Sequence, residues 1–311
     1  MDFPFRLVMK VDLQDIAKIS GGRYSVSNLT DAERFCRSIA TSHYENFPVA
    51  SVLFPKNRRQ DIFNIYAFAR TADDIADTLL DFSEHERRML LSAYLENLHK
   101  YVSGSTISEK NNPVLLALSK TINRLGLPLD PFEKLIAAFS WDSDFKQPRE
   151  WSDLHAYCAK SANPVGELVL RVFGLYNRET AYLSDCICTG LQLVNFWQDF
   201  SVDLPNGRVF IPSEILQKHN LSETDYNSWA ADENFQLCLE EIYDYTEKYF
   251  VIGKELVNLL FPKRLKIEIS LTRLGGMKIL EKTRQLGINI LQQRPQISKC
   301  DIMQIFTKSL I

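Results

Sequence analysis

The stretch RRQDIFNIYAFARTADDIADTLL, residues 58–80, decides the fold class. Ile62, Tyr66, Ala69, Asp73 and Asp77 recur at three- and four-residue intervals, the period of one helical stripe. Working outward, the same period returns along most of the chain. NLTDAERFCRSIATSHY predicts a helix opening near Asp31 with Thr30 as its cap, and Pro48 and Pro55 bracket a short segment. Helices are expected over roughly Ser83–Val102, from Pro113 to Gly126, over Pro131–Phe139 and over Trp151–Cys158, with SGSTISEKNNP as a loop. ELVLRVFGL and TAYLSDCICTGLQLVNFWQDFSVDL read as apolar-rich helices, the second long and stopped by PNGRVFIP. NFQLCLEEIYDYTEKYFVIGKELVNLL is another long helix. KIEISLTRLGGMKILEKTRQLGINILQQ is amphipathic and reads as a packed helix pair. No alternating run long enough for a sheet stands out. The expectation is an all-α chain, one helical domain over residues 1–311 with its core at about 30–300.

Composition agrees. Gly and Pro number only 12 each in 311 residues, too few for the many turns of an all-β protein. The formal net charge is −3, which excludes a nucleic-acid footprint over the chain as a whole. The N-terminal MDFPFRLVMKVDLQDIAK carries early acids and no continuous apolar core, so it does not read as a signal peptide. No run of about 20 apolar residues is present to span a membrane. Six cysteines lack any Cys-x-x-Cys pair, and Cys186 and Cys188 point to different helix faces, which argues against zinc. A cytoplasmic, reduced protein is expected.

Two acidic clusters carry the chemistry. Asp73, Asp74 and Asp77 form the first; Asp73 and Asp77 stack on one face, about 6 Å apart along the axis. Asn195, Asp199 and Asp203 form the second, again at intervals of four. Like charges at that spacing destabilise a helix unless a cation or water compensates. The apolar flanks Ile75, Ala76, Leu193, Val194, Phe196 and Trp197 argue against water. Hard oxygen donors without His or Cys suit Mg²⁺, which commonly shares carboxylates with substrate phosphates. Arg70 and Arg208 stand close by in sequence and would complete the charge balance. The plainer alternative is two solvated helix faces laced by local salt bridges.

Tyr66-Ala-Phe-Ala-Arg70-Thr-Ala-Asp73-Asp74-Ile-Ala-Asp77 resembles the first aspartate-rich motif of the squalene/phytoene synthase family. Gln192-Leu-Val-Asn195-Phe-Trp-Gln198-Asp199-Phe-Ser-Val-Asp203, followed by Asn206-Gly-Arg208-Val-Phe-Ile-Pro212, resembles the second. The resemblance implies an isoprenoid synthase fold with a central cavity. It implies two or three Mg²⁺ ions held by Asp73, Asp74, Asp77, Asn195, Asp199 and Asp203 and bridging an isoprenoid diphosphate. It places Arg70, Arg208 and Gln192 on that diphosphate, and Tyr66 and Tyr157 near the reacting carbons. HYENFPVAS from His43 to Ser51, the SANPVG segment ending at Gly166, and NFWQD resemble the hopanoid-pathway HpnC-type branch. That branch implies conversion of presqualene diphosphate to hydroxysqualene without NADPH, with His43 or Asn46 holding water. Asn163-Pro164 is expected to break a helix.

Two positions depart from condensing members of the family. Glu45-Asn46-Phe47 replaces a Ser-Phe pair with a basic neighbour, and Gln198 replaces an Arg. The lost cation argues against holding two diphosphates. The competing readings are a presqualene diphosphate, squalene or phytoene synthase, and a non-catalytic helical assembly factor, which would be expected to lose the acids. Coupling to other squalene-pathway enzymes and a peripheral membrane contact are both compatible with an apolar product.

Overall fold

The computed structural model describes residues 25–42, 54–77, 82–105, 111–142, 145–222, 224 and 226–309, with Ser42, Asp77, Asp142, Asn227 and Ala231 described by their backbone alone. The all-α expectation holds. Among the described residues the only β feature is an isolated bridge between Val26 and Asn111. The contacts divide the chain into two compact units: residues 1–144 with 168–176, and residues 145–167 with 177–311.

The first unit contains α1 (Leu29–Ser42), α2 (Lys56–Asp77), α3 (Glu84–Val102), α4 (Pro113–Leu125) and α5 (Asp130–Asp142). Local signals set most of these boundaries. Ser83 and Glu86 form a reciprocal capping box at the start of α3. Asn112 caps α4, Pro113 opens it, and Gly126 ends it in the left-handed conformation with φ 63°. The cap of α1 is a correction. Asn28 Oδ1, not Thr30, accepts the Asp31 amide at 2.9 Å, and the helix starts at Leu29.

α2 is the helix that carries the first acidic cluster. It buries Phe63, Ala67, Phe68, Ala72 and Ile75. Phe68 stacks on Tyr94 of α3 at 4.9 Å and meets Phe132 of α5 edge-on at 5.4 Å. On its α4 side, buried Asn64 donates to the Ala117 carbonyl at 3.3 Å and to Thr121 Oγ1 at 3.0 Å. Buried Asp61 accepts from Thr121 and pairs with Arg124. These bonds fix the rotation of α2, and hence the direction of the Asp73 face.

The second unit contains α6 (Trp151–Ser161), α8 (Arg178–Gln198), α9 (Phe200–Asp203), α10 (Ser213–Lys218), α11 (Glu233–Gly253), α12 (Leu256–Leu259), α13 (Lys263–Leu286) and α14 (Lys299–Ser309). The unit boundary falls inside α7 (Asn163–Val172). Helix α6 does stop just before Asn163-Pro164, and α7 starts there. Asn163 Oδ1 accepts from Thr189 of α8 at 3.2 Å.

Helix α8 is the centre of this unit and packs on α6, α11 and α13. Trp197 is fully buried, and its indole donates to Thr246 Oγ1 of α11 at 2.8 Å. The expected helix pair over residues 266–293 is a second correction. One helix, α13, runs unbroken through Gly275-Gly276 to Leu286, followed by a short 3₁₀ turn. Gly276 of this pair serves packing instead of ending the helix. A Cβ built on Gly276 would stand 2.6 Å from Leu191 and 2.7 Å from the Phe250 ring, which also lies against Gly190. We expect Gly276→Val to lower the free energy of unfolding by roughly 1–3 kcal/mol through overpacking. Urea denaturation reads this directly; an unchanged midpoint would show that the Phe250 ring has room to move.

Candidate active site

In the first unit, Arg70 organises the acids. Its Nη2 pairs with Asp74 at 2.7 Å and its Nη1 with Asp73 at 3.2 Å. Both partners lie one turn further on, which is the local ion-pair geometry of a helix face. The two carboxylates differ in setting. The Asp74 side chain is 10% exposed and lies under the guanidinium, whereas Asp73 is 38% exposed. Asp73 is thus the more solvent-accessible carboxylate, and Asp74 the closer anchor of Arg70. Asp77 ends α2 four residues after Asp73, on the same face.

Tyr66 sits one turn before Arg70. Its hydroxyl is buried without a hydrogen-bond partner among the described residues. Burial pushes its phenol above the ordinary range, with Arg70 acting the other way. His43, Glu45 and Asn46 lie outside the described residues.

In the second unit, the stripe Asn195–Asp199–Asp203 does not lie on one continuous helix. α8 ends at Gln198, and Asp199 caps it with φ −98° and ψ 12° before α9 begins. The ladder still carries across the joint. The Asp199 amide donates to the Asn195 carbonyl at 3.1 Å, and the Asp203 amide to the Asp199 carbonyl at 2.8 Å. The intervals of four therefore survive. Gln192 and Asn195 are half-buried and exposed respectively, while Leu193, Val194, Phe196 and Trp197 between the oxygen donors are buried.

Arg208 is brought back to this stripe by its turn. Pro205 lies in the 3₁₀ segment Leu204–Asn206, and Gly207 closes it at φ 71°, a conformation that favours glycine. The Arg208 amide then donates to the Asp203 carbonyl at 3.0 Å. The Arg208 guanidinium lies 5.9 Å from the Phe145 ring centroid. An aromatic chain leads on from there. Phe145 meets Phe210 at 5.0 Å, Phe210 stacks on Phe196 at 4.0 Å, and Phe196 lies 5.6 Å from Tyr157. Tyr157 and Arg208, far apart in sequence, thus border one aromatic surface beside the second stripe.

One residue of this site escaped sequence reasoning. Arg294, in the segment between α13 and α14, pairs with Asp199 through both carboxylate oxygens, its Nη2 reaching Oδ2 at 3.2 Å. The neighbouring Gln198 donates to the Pro295 carbonyl at 2.8 Å. Gln198 leaves its own position neutral, but it anchors the segment that returns a cation to the stripe.

Within either unit, no three His, Cys, Asp or Glu side chains among the described residues form a ready metal cage. The donors present are hard oxygens on regularly spaced turns, with arginines beside them. That set fits a hydrated magnesium ion sharing its shell with phosphate better than a dedicated protein cage.

The squalene/phytoene synthase profile matches residues 40–301. A hydroxysqualene synthase of Zymomonas mobilis is 31% identical over 227 residues, covering 73% of this chain and 74% of the relative. A presqualene diphosphate synthase of Rhodopseudomonas palustris is 28% identical over 215 residues, 68% of this chain and 74% of the relative. Among solved structures, the squalene synthase HpnC of Alicyclobacillus acidocaldarius superimposes with a TM-score of 0.76 at 36% identity, over 83% of this chain and 95% of that one. A dehydrosqualene synthase shares the fold with a TM-score of 0.75 at 20% identity, over 91% of this chain and 96% of that one. Matched over most of its length, and carrying both aspartate-rich motifs on helices, the chain belongs to the squalene/phytoene synthase family of isoprenoid synthases.

Proposed function

We propose that this enzyme converts presqualene diphosphate and water to hydroxysqualene and diphosphate, with Mg²⁺ and without a nicotinamide cofactor. The proposal treats residues 1–311 as a single catalytic domain in which both acidic stripes are required for turnover. The observation that carries it is the second stripe itself. Its oxygen donors are aligned across the Asp199 joint, with Arg208 and Arg294 beside them and an aromatic surface running to Tyr157. Similarity to hydroxysqualene synthases supports the choice of reaction.

Asp73, Asp77, Asn195, Asp199 and Asp203 would hold the magnesium, with Asp74 positioning Arg70. When bound, the metal neutralises charge on the diphosphate oxygens. As the C–O bond breaks and both its electrons leave with the diphosphate, the arginines beside the acids, Arg70 in the first unit and Arg208 and Arg294 in the second, would offset the growing negative charge. Gln192 contributes a neutral donor on the same helical face as Asn195. The carbon left behind is a cation. The faces of Tyr157 and Phe196 can stabilise it by about 1–2 kcal/mol each, and Tyr66 does so from the first unit. Water then adds through its oxygen to the rearranged cation and gives up a proton. We assign the placing of that water to His43 or Asn46.

A second reading draws on a specific observation. Arg294 restores a cation that Gln198 lacks, so the argument against two diphosphates weakens. A presqualene diphosphate synthase, condensing two farnesyl diphosphates, is the alternative, and one relative bears that name. One experiment separates them. Incubated with presqualene diphosphate, Mg²⁺ and ¹⁸O-labelled water, the purified protein should give labelled hydroxysqualene with no response to NADPH. Efficient formation of presqualene diphosphate from farnesyl diphosphate, or squalene only with NADPH, would sink the first reading.

A further inference from the structure

The tip between α11 and α13 has features that the reaction does not use. Val251, Ile252, Leu259 and Phe261 are 59, 39, 38 and 64% exposed, within eleven consecutive residues. Exposed single apolar residues are ordinary; four within eleven residues are a concentration that is not. Around them the charge is one-sided. Residues 248–266 carry four Lys and one Arg against Glu255 alone, in a chain whose net charge is −3. Lys248, Lys254, Lys263 and Arg264 are exposed and form no ion pair among the described residues. Glu255 is occupied by Asn258, whose amide donates to its carboxylate at 3.1 Å.

The tip is also held firmly from behind. Gly253 lets the end of α11 press against α8: a Cβ there would stand 2.5 Å from the Ile187 side chain and 3.2 Å from the Leu183 carbonyl. Leu256, Leu260 and Leu265 are buried beneath the turn. The apolar side chains that face outward therefore belong to a fixed turn whose own core is already filled.

We infer that this tip, residues 248–266, docks on the surface of a bilayer containing anionic phospholipid. Phe261, Leu259, Val251 and Ile252 enter the headgroup boundary, while Lys254, Lys263 and Arg264 meet lipid phosphates from behind them. The long basic stems suit that arrangement, since their methylenes lie along the apolar layer and their charges stay at its polar edge. A second copy using the same tip would set like charges face to face, so self-association is disfavoured. No helix among the described residues is long and apolar enough to cross a membrane, so the contact is made at the surface. The inference does not depend on which isoprenoid the enzyme converts.

Vesicle sedimentation tests it with the full chain. The protein should sediment with phosphatidylcholine–phosphatidylglycerol vesicles, much less with phosphatidylcholine alone, and should be released by high salt. Lys263→Gln with Arg264→Gln should lower the partition coefficient about fivefold for each charge removed. Leu259→Ser with Phe261→Ser should lower it roughly tenfold or more. Both double variants should melt as the parent does, because the changed side chains are exposed. Failure of the parent to bind anionic vesicles overturns the inference. So does parent-like binding by both variants. A shift of the variants from dimer to monomer, without vesicle binding by the parent, would assign the tip to a second copy instead.

Discussion

Asp199→Ala is expected to turn over its diphosphate substrate roughly a hundredfold more slowly, or worse, while remaining folded. The size follows from where the carboxylate stands. Asp199 is the middle donor of the second stripe, at the joint between α8 and α9, and its backbone bonds to Asn195 and Asp203 do not involve its side chain. On the proposed role, removing the carboxylate therefore deletes a metal ligand without breaking the ladder that positions the other two. The fold has little to lose. The partner, Arg294, is 46% exposed, and a pair that open to water contributes about 0–1 kcal/mol. Arg294→Gln separates the two functions of the pair. It should leave melting nearly unchanged and weaken binding of inorganic pyrophosphate with Mg²⁺, measured by calorimetry, while Asp199→Asn should weaken Mg²⁺ binding itself and raise the Mg²⁺ concentration needed for half-maximal turnover. Near-normal turnover in Asp199→Ala would remove the second stripe from the chemistry and return it to the status of a solvated helix face.

The parts of this fold that could be read from the sequence are those fixed by neighbours in the chain. Helix α4 is legible to the residue because Asn112, Pro113 and Gly126 each act within one turn. Helix α3 is legible because Ser83 and Glu86 satisfy each other. The cap of α1 was harder, since Asn28 and Thr30 are both capping types two residues apart. Asn28 prevails because its amide also reaches the Asp31 carboxylate at 3.0 Å. The continuity of α13 was not legible at all. Glycine in a helix interior costs about 1 kcal/mol relative to alanine, so a pair reads as a break. Only the Phe250 ring, from another helix, shows what the space is for.

The site divides in the same way. Spacing alone puts Asn195, Asp199 and Asp203 on one face, and it survives the break at Asp199 because each i→i−4 bond is kept. Arg294 lies 95 residues from Asp199, in a segment with no periodicity, and no local pattern points to it. The signal that comes nearest is Gln198: a neutral residue beside an acid-rich stripe asks where the missing cation comes from. The answer depends on how the segment after α13 folds back, which is tertiary information. The aromatic chain from Arg208 to Tyr157 is of the same kind, since each ring is an ordinary apolar residue until Phe145, Phe210 and Phe196 are seen in contact.

A buried acid that belongs to neither stripe sets the last expectation. Glu268, on α13, is 1% exposed, and neither carboxylate oxygen has a hydrogen-bond partner among the described residues. The Thr272 hydroxyl bonds its main-chain carbonyl instead, at 3.0 Å. Burial with nothing to compensate the charge pushes the carboxyl up from 4.5 to about 7. In the unfolded chain the same group ionises near its ordinary value. Below that value both states hold the proton, and Glu268 adds no pH dependence. Between the ordinary value and about 7 the native state keeps a proton that the unfolded chain has lost, so stability falls as pH rises. Above that window both are ionised, and the accumulated penalty, on the order of 3 kcal/mol, persists. Glu268→Gln carries no ionisable proton and should escape the penalty. Its stability gain over the parent, from urea unfolding, should be about 2 kcal/mol larger near pH 8 than near pH 5.5. An equal difference at the two pH values would mean that the Glu268 carboxyl ionises as freely inside the folded protein as outside it, and that some polar partner meets it there.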